Sequence, residues 1–133
     1  MISKKRKRRR KSRYHRGDHV ALKTGQVCRY RSGWELQYMQ YLDVDTTVLA
    51  YVYEPFKLPY VSNTRSGRLR GYIPDLLVTR TDGRRELVEI KPSRKVNHVT
   101  VQKKLKAAQI WCNLNGVALV VITEIQLKGL GLL

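Results

Sequence analysis

Residues 74–92 read PDLLVTRTDGRRELVEIKP. Two apolar runs, 76–78 and 87–90, flank Asp82-Gly83, the dipeptide that most strongly marks a tight hairpin. The second run therefore returns antiparallel to the first. Side chains along a strand alternate between faces. Leu87, Val88 and Ile90 read as buried strand, yet Glu89 and Lys91 sit among them and share one face. Val88 and Ile90 fill the other, and Pro92 closes the strand. Asp75 lies just inside the partner strand, so the hairpin brings it toward Glu89.

Two neighbouring carboxylates raise each other's pKa unless positive charge sits between them. Asp and Glu oxygens are hard ligands suited to Mg²⁺ or Mn²⁺. Such a cation polarises a phosphoryl oxygen and generates hydroxide from water near neutral pH. Lys91, on the Glu89 face, is placed to stabilise developing charge or to orient the attacking water. The Ile90 carbonyl is a further candidate ligand. A solvent-facing Glu89–Lys91 pair is the simpler reading, but the helix that follows should cover that face, where bare charges are costly. A strand-end turn acid after Pro74 is the other reading of Asp75, and its place before Leu76-Leu77-Val78, with a matching acid across the hairpin, speaks against it.

Outward from the hairpin, SGWELQYMQYLD (32–43) predicts a helix. Ser32 suits the N-cap and Glu35 falls at the third position, as in a capping box, with Trp34, Tyr38, Tyr41 and Leu42 as the buried stripe. Glu35 thus has a capping role available beside any role at the acid site. Residues 19–31 are weakly patterned and read as coil. Residues 48–60 read as one irregular strand broken at Pro55 and Pro59, and 63–70 as a basic turn before a strand over 71–80. Residues 92–100 read as a polar connection.

A helix over 101–116, ended by Gly116, buries Leu105, Ala108, Ile110, Trp111, Cys112 and Leu114. VALVVIT (117–123) has the continuous apolar character of a central strand covered on both sides. The expected fold class is α/β, a mixed sheet flanked by helices, with the last strand joining in a parallel crossover. Glu54 reads as structural or peripheral, Glu124 as a local cap or pair, and Tyr30, Tyr38, Tyr41, Tyr51, Tyr53 and Tyr60 as packing.

The chain has 133 residues and a formal charge of +17. Ten of its cations precede residue 17 and all ten acids follow it, which leaves +7 on the rest. A polyanion is the natural partner of both parts, and nucleic acid is the commonest. Residues 1–18 read as a flexible basic tail and 19–133 as one domain. Within the tail, Lys4, Lys5, Arg6, Lys7, Arg8, Arg9, Arg10 and Lys11 are candidate phosphate contacts. The same composition suits a nuclear-localisation signal or a solubilising tail. Arg65, Arg68 and Arg70, upstream of Asp75, are candidate contacts to a DNA backbone, with a solvated turn as the plain alternative.

Cys28 and Cys112 make no disulfide or zinc pattern, which fits a reducing compartment. His15, His19 and His98 lack metal-ligand spacing, so phosphate contact or exposure is expected. No run is long enough to span a membrane, and no apolar segment follows the basic start as in a secretory signal.

The ordered set of "PD" at 74–75, "EIK" at 89–91 and the Glu35 helix resembles the PD-(D/E)XK nuclease superfamily, whose core is αβββαβ and restriction-endonuclease-like. YRSGWELQYMQYLD, YEPFKLPY, KLKAAQ and VVITE extend the likeness over roughly residues 29–131. They are similar to segments of TnsA-type transposase endonuclease subunits and of tailed-phage head-completion nucleases.

The resemblance implies a metal-dependent DNA endonuclease. Glu35, Asp75, Glu89 and the Ile90 carbonyl would serve Mg²⁺ or Mn²⁺, and Lys91 the charge. A phosphate contact would come from Gln102, Lys103, Lys104 or Lys106. It further implies action on DNA during virion assembly, phage head or portal proteins as partners, and the host cytoplasm and virion as locations. The end of the chain soon after VVITE points to the phage type over the TnsA type, whose members usually carry a further C-terminal domain. A non-catalytic DNA-binding virion protein with the nuclease fold and a Holliday-junction resolvase are the other readings.

Overall fold

The structure, a computed structural model, describes residues 16–133. The tail candidates from Lys4 to Lys11, and His15, lie outside the described residues. The chain begins with β1 (Gly17–Val20) and β2 (Val27–Tyr30), an antiparallel hairpin where the sequence reads as coil. The pattern is weak because only one face of this short ribbon packs. Cys28 and Tyr30 are buried, while Val20 and Val27 remain exposed.

Helix α1 (Gly33–Val44) starts as expected at Ser32, whose hydroxyl accepts the Glu35 N–H at 3.1 Å. Its core positions are Tyr38, Met39, Leu42 and Asp43, with Trp34 and Tyr41 at the margin. Buried Asp43 is the unexpected member. It accepts from the Tyr51 hydroxyl at 2.8 Å and the Leu22 N–H at 3.2 Å, and lies 2.8 Å from His19 Nε2. His19 is therefore a half-buried pin between the first hairpin and α1, contrary to the expectation of phosphate contact or exposure. Replacing a buried acceptor leaves its donors unsatisfied, which costs more than the bonds themselves contribute. Asp43→Ala is expected to lower the unfolding free energy by about 2–3 kcal/mol in urea titrations.

The next stretch is two strands: β3 (Val48–Tyr53) and β4 (Leu58–Asn63). The break falls at Glu54, the one described non-glycine residue with positive φ, at 48°. That conformation turns the chain out of the sheet plane. β4 pairs antiparallel with β5 (Arg68–Tyr72), so half of the expected basic turn is strand. The chain re-enters the sheet at Asp75, whose carbonyl accepts the Glu54 N–H at 2.8 Å.

β6 (Leu76–Arg80) and β7 (Arg85–Ile90) form the expected antiparallel hairpin, turned at Gly83 with φ 90°. After α2 (Ser93–Val96) and α3 (Val99–Asn115), which ends at left-handed Gly116, β8 (Ala118–Ile122) pairs parallel to β7. The short α4 (Glu124–Gly129) closes the chain, with a capping box between Thr123 and Gln126. Glu124 accepts from the Ser93 backbone and hydroxyl, which ties α4 to the start of α2.

The main sheet has the order β3-β6-β7-β8. One face packs on α1, the first hairpin and α4 through Leu76, Val78, Val88 and Ile90. The other packs on α3 and the β4–β5 hairpin through Leu87, Tyr72, Ala108 and Cys112. The αβββαβ core and restriction-endonuclease-like mixed sheet read from the sequence are thus present. β8 is an edge strand, not a central one, and only Ile122 in it is fully buried. On α3, Ile110 and Leu114 are exposed, the latter 80%, because the β4–β5 hairpin covers only the neighbouring stripe. Both cysteines are free and buried. No helix among the described residues is long and apolar enough to cross a membrane.

Candidate active site

The β6–β7 register pairs Leu76 with Val88, so Asp75 and Glu89 stand one step beyond the last pair. Asp75 Oδ2 accepts the Ile90 N–H at 2.7 Å, which continues the ladder with a carboxylate in place of a carbonyl. Glu89 is 5% exposed, on the α3 face of β7 next after Leu87. The two acids line a cleft of about 380 Å³ with Glu35, Glu54, Tyr53, Tyr72, Arg31, Lys91 and Lys104. All four residues read from the sequence as catalytic are therefore brought together, from α1, the start of β6 and the end of β7.

Each carboxylate has its own donor. Tyr53 gives its hydroxyl to Glu35 Oε1 at 2.9 Å, and Tyr72 gives its hydroxyl to Glu89 Oε1 at 2.9 Å. Lys91 Nζ lies 3.4 Å from Glu89 Oε2. Burial, then the adjoining carboxylates, holds both tyrosine hydroxyls far above their ordinary pKa, so they remain donors. Glu35 Oε1 also accepts the Arg31 N–H at 3.3 Å. Ser32 caps the Glu35 N–H, but the returning carboxylate bonds Arg31 and not the Ser32 N–H, so only half of the expected capping box forms.

Asp75 is partly buried, and its pKa is raised well above its ordinary value by desolvation and then by the charges of Glu89 and Glu35. This is electrostatic strain that a cation relieves. Among the described residues no group of three His, Cys, Asp or Glu is gathered as a ready-made metal cluster. The donor chemistry nonetheless fits a hard divalent cation: oxygen ligands only, with Glu89 buried and with excess negative charge.

Sequence reasoning missed Tyr53, Tyr72, Glu54 and Arg31. The tyrosines carried a usable signal, since a buried tyrosine hydroxyl generally requires a polar partner. Glu54, read as peripheral, is on the cleft wall, and its carboxylate is 3.1 Å from Arg31. Its backbone conformation has no sequence signature. Of the α3 candidates, Lys104 reaches the cleft and lies 5.9 Å from the Tyr60 and Tyr72 rings. Lys103 is bound to the Ser62 carbonyl at 2.7 Å and Gln102 to the Val96 carbonyl at 2.6 Å, while Lys106 is exposed. Arg65, Arg68 and Arg70 are exposed and pair with no acid among the described residues.

A mixed sheet whose hairpin opens a carboxylate-rich cleft backed by a lysine is the architecture of an endonuclease domain. Residues 45–124, from the turn before β3 to the start of α4, match the TnsA-like endonuclease N-terminal family, and the chain belongs to it. The matched span holds Asp75, Glu89 and Lys91 and leaves Glu35 outside. The chain is also similar to the head completion nuclease of Enterobacteria phage T4, at 27% identity over 77% of this chain and 82% of that protein. The nuclease family read from the sequence is borne out on both comparisons.

Proposed function

We propose that the chain is a DNA endonuclease that hydrolyses phosphodiester bonds with a divalent cation, Mg²⁺ or Mn²⁺, of the phage head-completion type. The observation that carries this reading is the cleft itself: Asp75 opposite buried Glu89, each bonded to the chain, with Glu35 and Lys91 on its walls. Asp75, Glu89, Glu35 and the Ile90 carbonyl would hold the cation. When bound, it supplies Lewis-acid polarisation of the phosphoryl oxygen and lowers the pKa of water.

The protein's own groups do the rest. Tyr72 and Tyr53 fix the rotamers of Glu89 and Glu35. Lys91 offers its ammonium to the developing phosphoryl charge. Lys104 adds a second cation toward a neighbouring phosphate, and Arg31 is held back by Glu54 at the rim. Arg65, Arg68, Arg70, Lys103 and the tail from Lys4 to Lys11 would follow the DNA backbone. Action on DNA during virion assembly, beside head or portal proteins in the host cytoplasm or virion, extends the similarity to the T4 protein.

The test incubates the purified protein with linear, supercoiled and branched DNA, with Mg²⁺, with Mn²⁺ and with a chelator. Metal-dependent cutting of at least one substrate is expected. No cutting of any would leave a DNA-binding protein that keeps the nuclease fold.

A further inference from the structure

We propose that the polar cavity under the β4–β5 hairpin is a second phosphate site. It would hold a non-scissile phosphate of the cut strand within about three nucleotides of the cleaved bond. This rests on the nuclease reading of the neighbouring cleft and adds to it a defined path for one strand.

The strand alternation sets the path. Arg68, Arg70 and Tyr72 share one face of β5. Tyr72 ends that row inside the catalytic cleft, on Glu89. Alternate residues on a strand are about 6.6–6.8 Å apart. One such step equals roughly two nucleotides of axial rise, at about 3.4 Å each. The row therefore carries two guanidiniums outward from the site at the pitch of a nucleic-acid strand.

The cavity beside the row is built, not incidental. Its volume is about 270 Å³, and Arg68, Arg70, Lys103, Asn63, Ser62 and Thr100 line it. β4 bulges between Val61 and Asn63, which places Ser62 out of register. The freed Ser62 carbonyl takes the Lys103 ammonium at 2.7 Å, and the Ser62 hydroxyl donates to the Arg68 carbonyl at 3.1 Å. The hairpin is thereby clamped to α3 with Lys103 facing the cavity. Asn63 uses its side-chain oxygen on the Arg65 and Ser66 N–H groups, so its amide nitrogen is left to donate.

Every lining side chain named here can donate a hydrogen bond, and none is an acid. The ion pairs among the described residues all lie elsewhere, so Arg68 and Arg70 have no internal counter-charge. Three cations with amide and hydroxyl donors, and no carboxylate, select a phosphodiester oxyanion over a metal or a neutral ligand.

The experiment has two arms. In the first, binding of a short fluorescent DNA duplex is followed by anisotropy over a range of salt, without divalent cation. The proteins are wild type, the Arg68→Ala/Arg70→Ala double variant and the control Arg84→Ala, whose side chain pairs with Asp82 in the distant β6–β7 turn. The double variant is expected to lose about 1–2 units of salt slope, at about 0.9 per phosphate contact, and the control none.

In the second arm, cleavage is measured on duplexes carrying a single neutral methylphosphonate at successive positions around the cut. One position within about three nucleotides, on one side and on the cut strand, should raise wild-type KM about tenfold. That position should become silent in the double variant. An unchanged salt slope, or interference that persists in the double variant, would overturn the site while leaving the nuclease intact. A slope lost in the double variant, beside a wild type that cuts nothing, would keep the site and remove the nuclease reading.

Discussion

Asp75→Asn is expected to abolish cleavage and, at the same time, to stabilise the metal-free protein. The side chain is partly buried, and its charged form is opposed by desolvation and by Glu89 and Glu35. The amide keeps the shape and still accepts the Ile90 N–H through its oxygen. It also turns donors toward the neighbouring carboxylates. Loss of an anionic ligand of the proposed cation should reduce kcat by at least about 10³-fold, equivalent to roughly 4 kcal/mol of barrier.

The sign of the stability change follows from linkage. The folded-state pKa of Asp75 lies above its ordinary value of 3.8. Between that value and the raised one, the folded protein keeps a proton that the unfolded chain has released. Stability therefore falls as pH rises through the window, and is not impaired by this group below it. Asn has no such dependence. The Tm advantage of the variant over wild type should be smallest near pH 4 and grow toward neutral pH, reaching a few degrees for about 1 kcal/mol. Asp75→Ala should differ, because it orphans the Ile90 N–H at a cost of about 1–3 kcal/mol. Calorimetric melts of the three proteins in chelator check both statements. Equal melting of wild type and Asp75→Asn at every pH would contradict them.

Lys91→Met is expected to lower kcat about 10²–10³-fold while KM changes by no more than a few-fold. Removing one preorganised group that meets developing charge has an effect of this order. Methionine keeps the length of the stem and removes the ammonium now 3.4 Å from Glu89. DNA affinity should persist, since the other cations of the cleft and hairpin remain. The metal-free protein should lose some stability, because Lys91 is partly exposed but the Glu89 carboxylate it leaves unpaired is buried. Single-turnover cleavage against DNA concentration separates the two constants. A loss confined to KM would make Lys91 a binding group.

Much of this was legible in the sequence because local and global signals agree over residues 74–92. The Asp-Gly turn, the period-two alternation and the acids at matching ends all specify one hairpin. The same consistency made α1 readable from Ser32 and α3 from Gly116. Legibility failed where structure depends on a distant partner. The β1–β2 hairpin exists because Cys28 and Tyr30 pack on α1 and the sheet, which no local pattern records. The apolar run of β8 reads as central and covered on both sides, yet it lies at an edge with only Ile122 buried, because composition fixes neither strand order nor what covers a face. The site acids were visible as residue types at a spacing. The tyrosines bonded to them signalled only that some polar partner is needed, not which one, since the same letters serve as core.

The Glu54 N–H bond to the Asp75 carbonyl closes a side excursion of the chain at its neck. Everything from 55 to 74 leaves and rejoins the sheet through that point, so neither its length nor its shape is dictated by the β3–β6 register. Loop-closure entropy rises only with the logarithm of length, by about 0.6 kcal/mol per doubling. The excursion is thus an exchangeable cassette. Descendants of this chain can lengthen, shorten or recharge its tip without disturbing the main sheet, so long as Tyr72 keeps its bond to Glu89.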